Sequence, residues 1–208
     1  MAHRSSETFR TLHALRIRGF ATIDTLSDMT GAPSSDVEAH LAHWSAGEHV
    51  QFREPRALWQ LTPSGRARHL DLLREDVAPV VPNSDLTVAY QHFLAHNEQF
   101  KELCTAWQVF KFNGERNDHS DAGYDAAVFE NLAHLHAAAE PAIACFGTVF
   151  DRMAPYGPRL ESVLIRIHDG ESNMFTGVMC GSYHDVWMEL HEDLMLTQGI
   201  DRGREGSY

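Results

Sequence analysis

The sequence predicts a mainly α-helical protein in two parts, a small N-terminal domain with one β-hairpin and an acidic helical bundle. Apolar residues recur at helical spacing in several segments, and two short strand-like runs lie between residues 49 and 61. Charge divides the chain in the same way. Residues 1–75 contain nine Arg and nine Asp or Glu, so the net charge of −12 arises from residues 76–208.

Three short helices are predicted first. The first covers residues 6–18, and the second covers residues 22–31, with Thr22 as its N-cap. The third begins at Pro33 and ends before Gly47. Its inward face, spaced four and three residues apart, consists of Val37, Leu41 and Trp44.

A β-hairpin and a fourth helix are predicted next. The strand-like runs 49–53 and 57–61 flank Pro55, which cannot lie inside a strand and therefore marks the turn. The helix that follows has Thr62 as its N-cap and Pro63 at its first helical position.

This order of elements and the stretch Leu61-Thr-Pro-Ser-Gly-Arg66 resemble the winged helix-turn-helix of the MarR-like transcriptional regulators. The resemblance covers about a third of the chain. It implies that residues 1–75 bind double-stranded DNA, with the third helix in the major groove and the hairpin on the phosphates. The DNA-contacting residues expected are Ser34, Ser35, Ala39, His43, Arg53, Arg56, Arg16 and Arg18, with Arg66 and Arg68 as further phosphate contacts.

One feature of the third helix departs from this pattern. It has no Arg or Lys, and Asp36 and Glu38 add negative charge. A winged helix that docks on another protein instead of DNA is therefore the alternative.

The second domain is predicted to be a helical bundle. Residues 76–84 contain two prolines and are interpreted as a linker, which leaves residues 85–208 for the bundle. Ser84, Ser120 and the pair Ser182 and Asp185 are the expected caps. Helices are predicted for residues 85–110, 121–139 with a resumption after Pro141 as far as residue 153, 159–168 and 183–197.

The first bundle helix has a heptad seam that contains one polar residue. The seam consists of Leu86, Tyr90, Phe93, Asn97, Phe100, Cys104 and Trp107. Two interpretations are open: the seam packs inside its own bundle, or it forms a two-fold contact between two copies in which Asn97 fixes the register. Because helix-turn-helix proteins commonly dimerise, we expect a homodimer.

Polar side chains of the bundle indicate a candidate ligand or metal site. Asp121 and Asp125 lie one helical turn apart beside His119, an arrangement suited either to capping a helix or to holding a divalent cation. His184 and His191 on the last helix are further candidates, with His134 and His136 as neighbours, or else are structural histidines. A small-molecule effector is expected in a pocket lined by Tyr90, Trp107, Tyr124 and Trp187.

Other classes of protein have weaker signals. No phosphate-binding loop, dinucleotide-binding loop or serine-hydrolase motif occurs, although the fourteen His keep an acid–base or metal-dependent enzyme open as an alternative. The three Cys are widely spaced and are expected to be reduced. No apolar run approaches the roughly 20 residues of a membrane span, and the N-terminus has no apolar signal segment. We therefore expect a cytoplasmic transcriptional regulator.

Overall fold

The structure, a computed structural model, describes residues 1–110 and 114–200. In these ranges the chain is mainly helical, with a single three-stranded antiparallel sheet, which confirms the predicted mainly α class. None of the helices described has the length and hydrophobicity that a membrane span requires. The chain divides into two compact units. Unit 1 comprises residues 1–83, 147–155 and 188–200, and unit 2 comprises residues 84–110, 114–146 and 156–187.

Unit 1 contains the hairpin and the four helices predicted around it. The first three helices begin and end within three residues of their predicted bounds, and the fourth begins at Pro63 as predicted. An additional short strand, β1, was not predicted because two residues are too few to form an alternating pattern. The elements are α1 (Glu7–Arg18), β1 (Phe20–Ala21), α2 (Ile23–Thr30), α3 (Ser34–Ala46), β2 (Val50–Arg53), β3 (Leu58–Leu61) and α4 (Pro63–Val77).

The sheet of unit 1 has an apolar face and a polar face. Its strand order is β1-β3-β2, and all neighbours are antiparallel. The register pairs Val50 with Leu61 and Phe52 with Trp59, so their side chains share one face. The buried members of this face join the core of unit 1, which consists of Leu12, Ala14, Leu15, Ala21, Leu26, Met29, Val37, Leu41, Trp44, Val50 and Leu61.

The stretch that prompted the family resemblance contacts residues 48 and 49, which lie between α3 and β2. The Thr62 hydroxyl caps α4 by accepting from the backbone N–H of Gly65 at 3.0 Å, and it donates to the carbonyl of Glu48 at 2.7 Å. Gly65 lies so close to His49 that a Cβ atom would overlap the His49 carbonyl oxygen. These contacts explain why the stretch has a threonine at position 62 and a glycine at position 65.

Unit 2 is built from four helices, two of which continue into unit 1. They are α5 (Ser84–Gln108), α6 (Ala122–Val149), α7 (Tyr156–His168) and α8 (Tyr183–Gln198). The last residues of α6, from Gly147, and most of α8, from Met188, belong to unit 1. The predicted linker at residues 76–84 therefore does not separate all of unit 1 from all of unit 2.

The helices of unit 2 differ from the prediction at four points, the first of which is that Ser84 begins α5 instead of capping it. The predicted interruption at Pro141 is wrong, because α6 is continuous through this residue. The α7 helix begins three residues before the predicted Arg159, so Pro158 lies in the first turn, where a missing N–H is tolerated. The cap of α6 is Asp121 rather than Ser120, because its Oδ1 accepts from the N–H groups of residues 123 and 124 at 3.0 Å.

The heptad seam of α5 packs inside unit 2. Phe93 and Phe100 are almost fully buried, and each ring lies 4.9 Å from the ring of Trp187, between centroids. Asn97 is buried as well, and its Oδ1 accepts from Nε1 of Trp187 at 2.9 Å. The seam is therefore a core surface, and the prediction that it forms a contact between two copies is wrong.

Candidate functional site

The outward face of α3 is the first part of the candidate site. Val37, Leu41 and Trp44 are buried as predicted, and Nε1 of Trp44 donates to the carbonyl of Thr8 on α1 at 2.9 Å. These contacts fix the rotation of α3 about its axis. The predicted reading residues Ser34, Ser35, Ala39 and His43 are all exposed, together with Glu38 and Ala42.

The first turn of α3 has no side-chain cap, because Pro33 occupies the N-cap position. The backbone N–H groups at the start of a helix carry partial positive charge, and that of Asp36 donates to the carbonyl of Pro33 at 3.0 Å. The hydroxyls of Ser34 and Ser35 are exposed beside this turn, and that of Ser35 donates to the Asp36 carboxylate at 3.4 Å. An anionic oxygen at this end of α3 would therefore meet hydrogen-bond donors and the Asp36 carboxylate together.

The hairpin carries two exposed arginines. Arg53 ends β2, and Arg56 belongs to the short 3-10 helix Glu54–Arg56 that joins β2 to β3. With the Gln60 amide turned so that its oxygen faces Arg53, that oxygen accepts from Nε and Nη2 of Arg53 at 2.9 Å. The sheet thus orients the Arg53 guanidinium at the base of the turn.

Two of the predicted DNA-contacting arginines are engaged within unit 1. Nη1 of Arg18 lies 2.9 Å from Oε1 of Glu189, and both side chains are less than a tenth exposed. Nη1 of Arg16 lies 3.4 Å from Oε1 of Glu192. Both carboxylates belong to α8. We therefore leave Arg16 and Arg18 out of the candidate DNA surface.

A second candidate site lies in unit 2, where the chain leaves α5 and approaches α6. Asn117 is buried, and its Nδ2 donates to the carbonyl of Trp107 at 3.1 Å and to Oδ1 of Asp125 at 2.8 Å. Nδ1 of His119 lies 3.0 Å from Oδ2 of Asp125, and the His119 ring stacks on Trp107 with centroids 4.1 Å apart. His119 also has a left-handed backbone conformation, with a φ of 62°.

The predicted metal site is not assembled in the described part of the chain, where no three His, Cys, Asp or Glu side chains are placed to share a metal ion. Asp121 caps its own helix. His184 belongs to unit 2 and stacks on Phe100 at 6.0 Å, and burial lowers its pKa. His191 is buried in unit 1. These residues therefore do not converge on one cation.

The predicted aromatic pocket is formed only in part. Trp107 lines a cavity of about 660 Å³. Tyr124 instead donates its hydroxyl to the carbonyl of Ala106 at 3.0 Å, whereas Tyr90 and Trp187 are core residues of unit 2. The cavity is lined by Trp107, Gln108, Val109, Arg116, Asn117, Asp118, His119 and Thr176.

The sequence analysis missed a buried polar cluster in unit 1. Its centre is His13 on α1, whose Nδ1 lies 2.8 Å from Nε2 of His69 and whose Nε2 lies 2.9 Å from Oδ1 of Asp193. Arg152 lies 3.5 Å from Asp193 and 3.7 Å from Asp76, between nitrogen and oxygen atoms. One signal was present in the sequence: His13 follows Phe9 by four residues, which places it on the inward side of α1.

Burial and charge shift the pKa values in this cluster. Burial, together with the neighbouring His13, Arg16 and Arg152, lowers the pKa of His69 to about 3, while Asp193 opposes them. Burial acts to raise the pKa of Asp193, but Arg152 and His13 outweigh it and hold that pKa below its usual range. His69 is therefore a neutral ring at neutral pH, and Asp193 is a carboxylate.

Comparisons of the chain with models of protein families, with curated proteins and with solved structures give no match. The function is therefore inferred from the geometry of the described residues.

Proposed function

We propose that this chain is a DNA-binding transcriptional regulator whose unit 1 is a winged helix-turn-helix similar to that of the MarR-like regulators. One observation carries the proposal. The exposed, hydrogen-bonding face of α3 belongs to the same unit as a hairpin with two exposed arginines, Arg53 and Arg56.

The topology of unit 1 supports this proposal. The order α1-β1-α2-α3-β2-β3, with the sheet order β1-β3-β2, is the arrangement expected when a hairpin flanks a recognition helix. In a helix-turn-helix, the second helix of the pair enters the major groove with residues near its N-terminus. That helix is α3 in this chain.

The helix α3 and the hairpin can make different kinds of contact with DNA. Ser34, Ser35 and His43 on α3 have polar atoms that can bond base edges or phosphates. Arg53 and Arg56 can pair with phosphate oxygens and release counterions, which is the main source of affinity in protein–DNA binding. Ala39, also exposed, leaves room for a base edge to approach the helix.

Selection of genomic DNA fragments with the purified full chain, followed by fluorescence anisotropy at several salt concentrations, tests the proposal. We expect enrichment of particular fragments and a steep fall of affinity with salt. The slope of log affinity against log salt is negative. In the variant Arg53→Ala/Arg56→Ala, its magnitude should decrease by about 2, because two phosphate contacts are lost.

A matched control removes two other exposed arginines. Arg4 and Arg74 lie outside α3 and the hairpin, and their side chains are 89% and 69% exposed. The variant Arg4→Ala/Arg74→Ala has the same net charge as the hairpin variant, so it corrects for long-range electrostatics. Equal affinity and equal salt slopes in the two double variants would contradict the role of the hairpin.

A second candidate function, docking on another protein, is favoured by the charge of α3. The helix has Asp36 and Glu38 but no Arg or Lys. Two results together would make docking, rather than DNA binding, the function of α3. No genomic fragment is enriched, and the chain binds a protein that its Ala39→Arg variant does not bind.

Within the proposed regulator, the cavity beside Trp107 and His119 is the candidate effector site. Its volume of about 660 Å³ lies within the range of small-molecule sites, and it combines an aromatic wall with polar groups. The left-handed backbone at His119 is a further reason to favour this position, because such conformations cluster at functional sites.

A further inference from the structure

The buried cluster of unit 1 links four segments that are distant in the sequence. His69 and Asp76 lie on α4, His13 lies on α1, and Asp193 lies on α8. Arg152 comes from the short 3-10 helix Asp151–Met153, and its Nη2 donates to the hydroxyl of Thr197 at 2.6 Å. The cluster therefore fastens the second half of α8 and residues 151–153 to the helices α1 and α4.

The contact between the two imidazole rings has room for a single proton. Nδ1 of His13 and Nε2 of His69 are 2.8 Å apart, so one nitrogen donates and the other accepts. The other ring nitrogen of His13 faces Asp193 at 2.9 Å. The pair can carry one positive charge and keep this hydrogen bond. With two charges, an N–H group would face another N–H group, and both residues are only 3% exposed to water.

We propose that the pair His13 and His69 is an acid-sensitive latch, which holds α4 on α1 until both rings are protonated. The second proton breaks the bond between the rings and places an unpaired charge in the interior of unit 1. The latch does not depend on DNA binding.

Burial is the largest cause that disfavours a charge on the His69 ring, and the charged groups around the ring add to it or oppose it. From α1, His13 and Arg16 disfavour a charge on the His69 ring, and Arg152 does so from residues 151–153. Asp193 on α8 is the group that favours it. Burial acts with the positive groups, so the His69 pKa lies at about 3 in the folded protein against 6.5 for an unperturbed His.

The sign of the pH dependence follows from this lowered pKa. Between pH 6.5 and about 3, the unfolded chain binds a proton at His69 that the folded chain does not bind. The stability contributed by neutral His69 is therefore complete above pH 6.5 and is lost as the pH falls. In this window the unfolding constant should increase by up to about tenfold per pH unit from this residue alone.

The element released by the latch follows from the two contacts of His13. Its Nδ1 faces His69 on α4 at 2.8 Å, and its Nε2 faces Asp193 on α8 at 2.9 Å. A second proton removes the contact with His69, because two N–H groups cannot bond to each other, whereas a protonated His13 still donates to the Asp193 carboxylate. The helix α8 also keeps its carboxylates paired with Arg16 at 3.4 Å and with Arg18 at 2.9 Å. The latch therefore acts on α4.

Chemical unfolding of the full chain at a series of pH values tests the latch. The variant His69→Gln retains a side chain that can hydrogen-bond to His13 but cannot be protonated. We expect its unfolding constant to change less between pH 6.5 and pH 5, by up to about tenfold per pH unit relative to the wild type. The control His43→Gln makes the same chemical change at an exposed position of α3 and should retain the wild-type dependence. The same pH dependence in all three proteins would overturn the proposal.

A second measurement decides the matter if the His69→Gln variant does not fold. Hydrogen exchange of the wild type, corrected for the intrinsic exchange rate at each pH, compares peptides from α4 with peptides from α3. We expect protection of α4 to decrease more than protection of α3 between pH 7 and pH 5. An equal change in both segments would overturn the latch.

Discussion

Gly65 is the glycine of the described part of unit 1 at which an added Cβ atom would lie closest to another atom. It lies in the first turn of α4, against the carbonyl of His49, where a Cβ atom has no space. The obstacle is backbone and cannot rotate away as a side chain would. Close approach, rather than an unusual φ angle, therefore requires glycine at this position.

The substitution Gly65→Ala should lower the free energy of unfolding by about 1–3 kcal/mol, because the added methyl group must displace the backbone of His49 or the start of α4. Urea unfolding followed by circular dichroism measures the change. Gly157→Ala is the matched control, since a Cβ atom there meets only Ile143, at 3.8 Å. The control should be neutral or slightly stabilising. Equal effects of the two substitutions would contradict the packing reason for Gly65.

For the residues of the candidate DNA surface, the sequence predicted exposure better than it predicted long-range contacts. Exposure of Ser34 and His43 was predictable, because helical periodicity turned Val37 and Leu41 inward. The pairing of Arg18 with Glu189 was not predictable, because 171 residues separate them and local patterns carry no information on such contacts. The same limit applies to Asp193, which reaches His13 across 180 residues.

At the scale of elements, α5 illustrates why a heptad pattern does not identify its partner. An apolar seam predicts that a helix buries one face, and the seam of α5 is buried. The pattern is the same whether the covering surface belongs to the same chain or to a second copy. In this chain, Trp187 of α8 covers Phe93 and Phe100. The homodimer expected from the sequence would therefore have to form through a surface other than this seam.

The substitution Phe93→Ala should lower the free energy of unfolding by about 3–5 kcal/mol, because it leaves a cavity beside Trp187 and Phe146. Chemical unfolding followed by tryptophan fluorescence measures the loss. Val88→Ala is the control on the same helix, at a position 57% exposed, and should change stability by less than about 0.5 kcal/mol. A small loss at Phe93 would mean that the seam is not a core surface.

The helix α8 was predicted better than the other helices of the second half. Ser182 caps it as expected, with the N–H of Asp185 donating to Oγ of Ser182 at 3.1 Å, while Oδ2 of Asp185 accepts from the N–H of Gly181 at 3.0 Å. Its inward stripe is buried throughout, from Tyr183 to Leu194. The sequence did not predict that one continuous helix contributes to both units, because its amphipathic pattern is the same on both sides of Met188.

At the scale of the whole molecule, the charge is divided differently between the two units than between residues 1–75 and 76–208. The described residues of unit 1 contain ten Arg and fourteen Asp or Glu, so unit 1 is not neutral as residues 1–75 are. The acidic residues gained from α8 are paired with basic groups: Glu189 with Arg18, Glu192 with Arg16, and Asp193 with Arg152 and His13. The arginines of the hairpin are not involved in these pairs.

This distribution leaves the proposed DNA contact to α3 and the hairpin. The acidic residues of α8 compensate positive charges on α1, and the exposed arginines Arg53 and Arg56 stay on the hairpin. A repulsive field from the acidic remainder of the chain would restrict DNA to that surface.

Site-specific photo-cross-linking tests this central claim most directly. A photoreactive side chain is introduced at position 39 on α3, at position 56 on the hairpin, at exposed position 70 on α4 and at exposed position 88 on α5. Each full-length protein is then irradiated with an enriched DNA fragment. We expect cross-links from positions 39 and 56, and few from positions 70 and 88. Cross-links from 70 or 88 but not from 39, or none from any position, would contradict the proposal that α3 and the hairpin bind DNA.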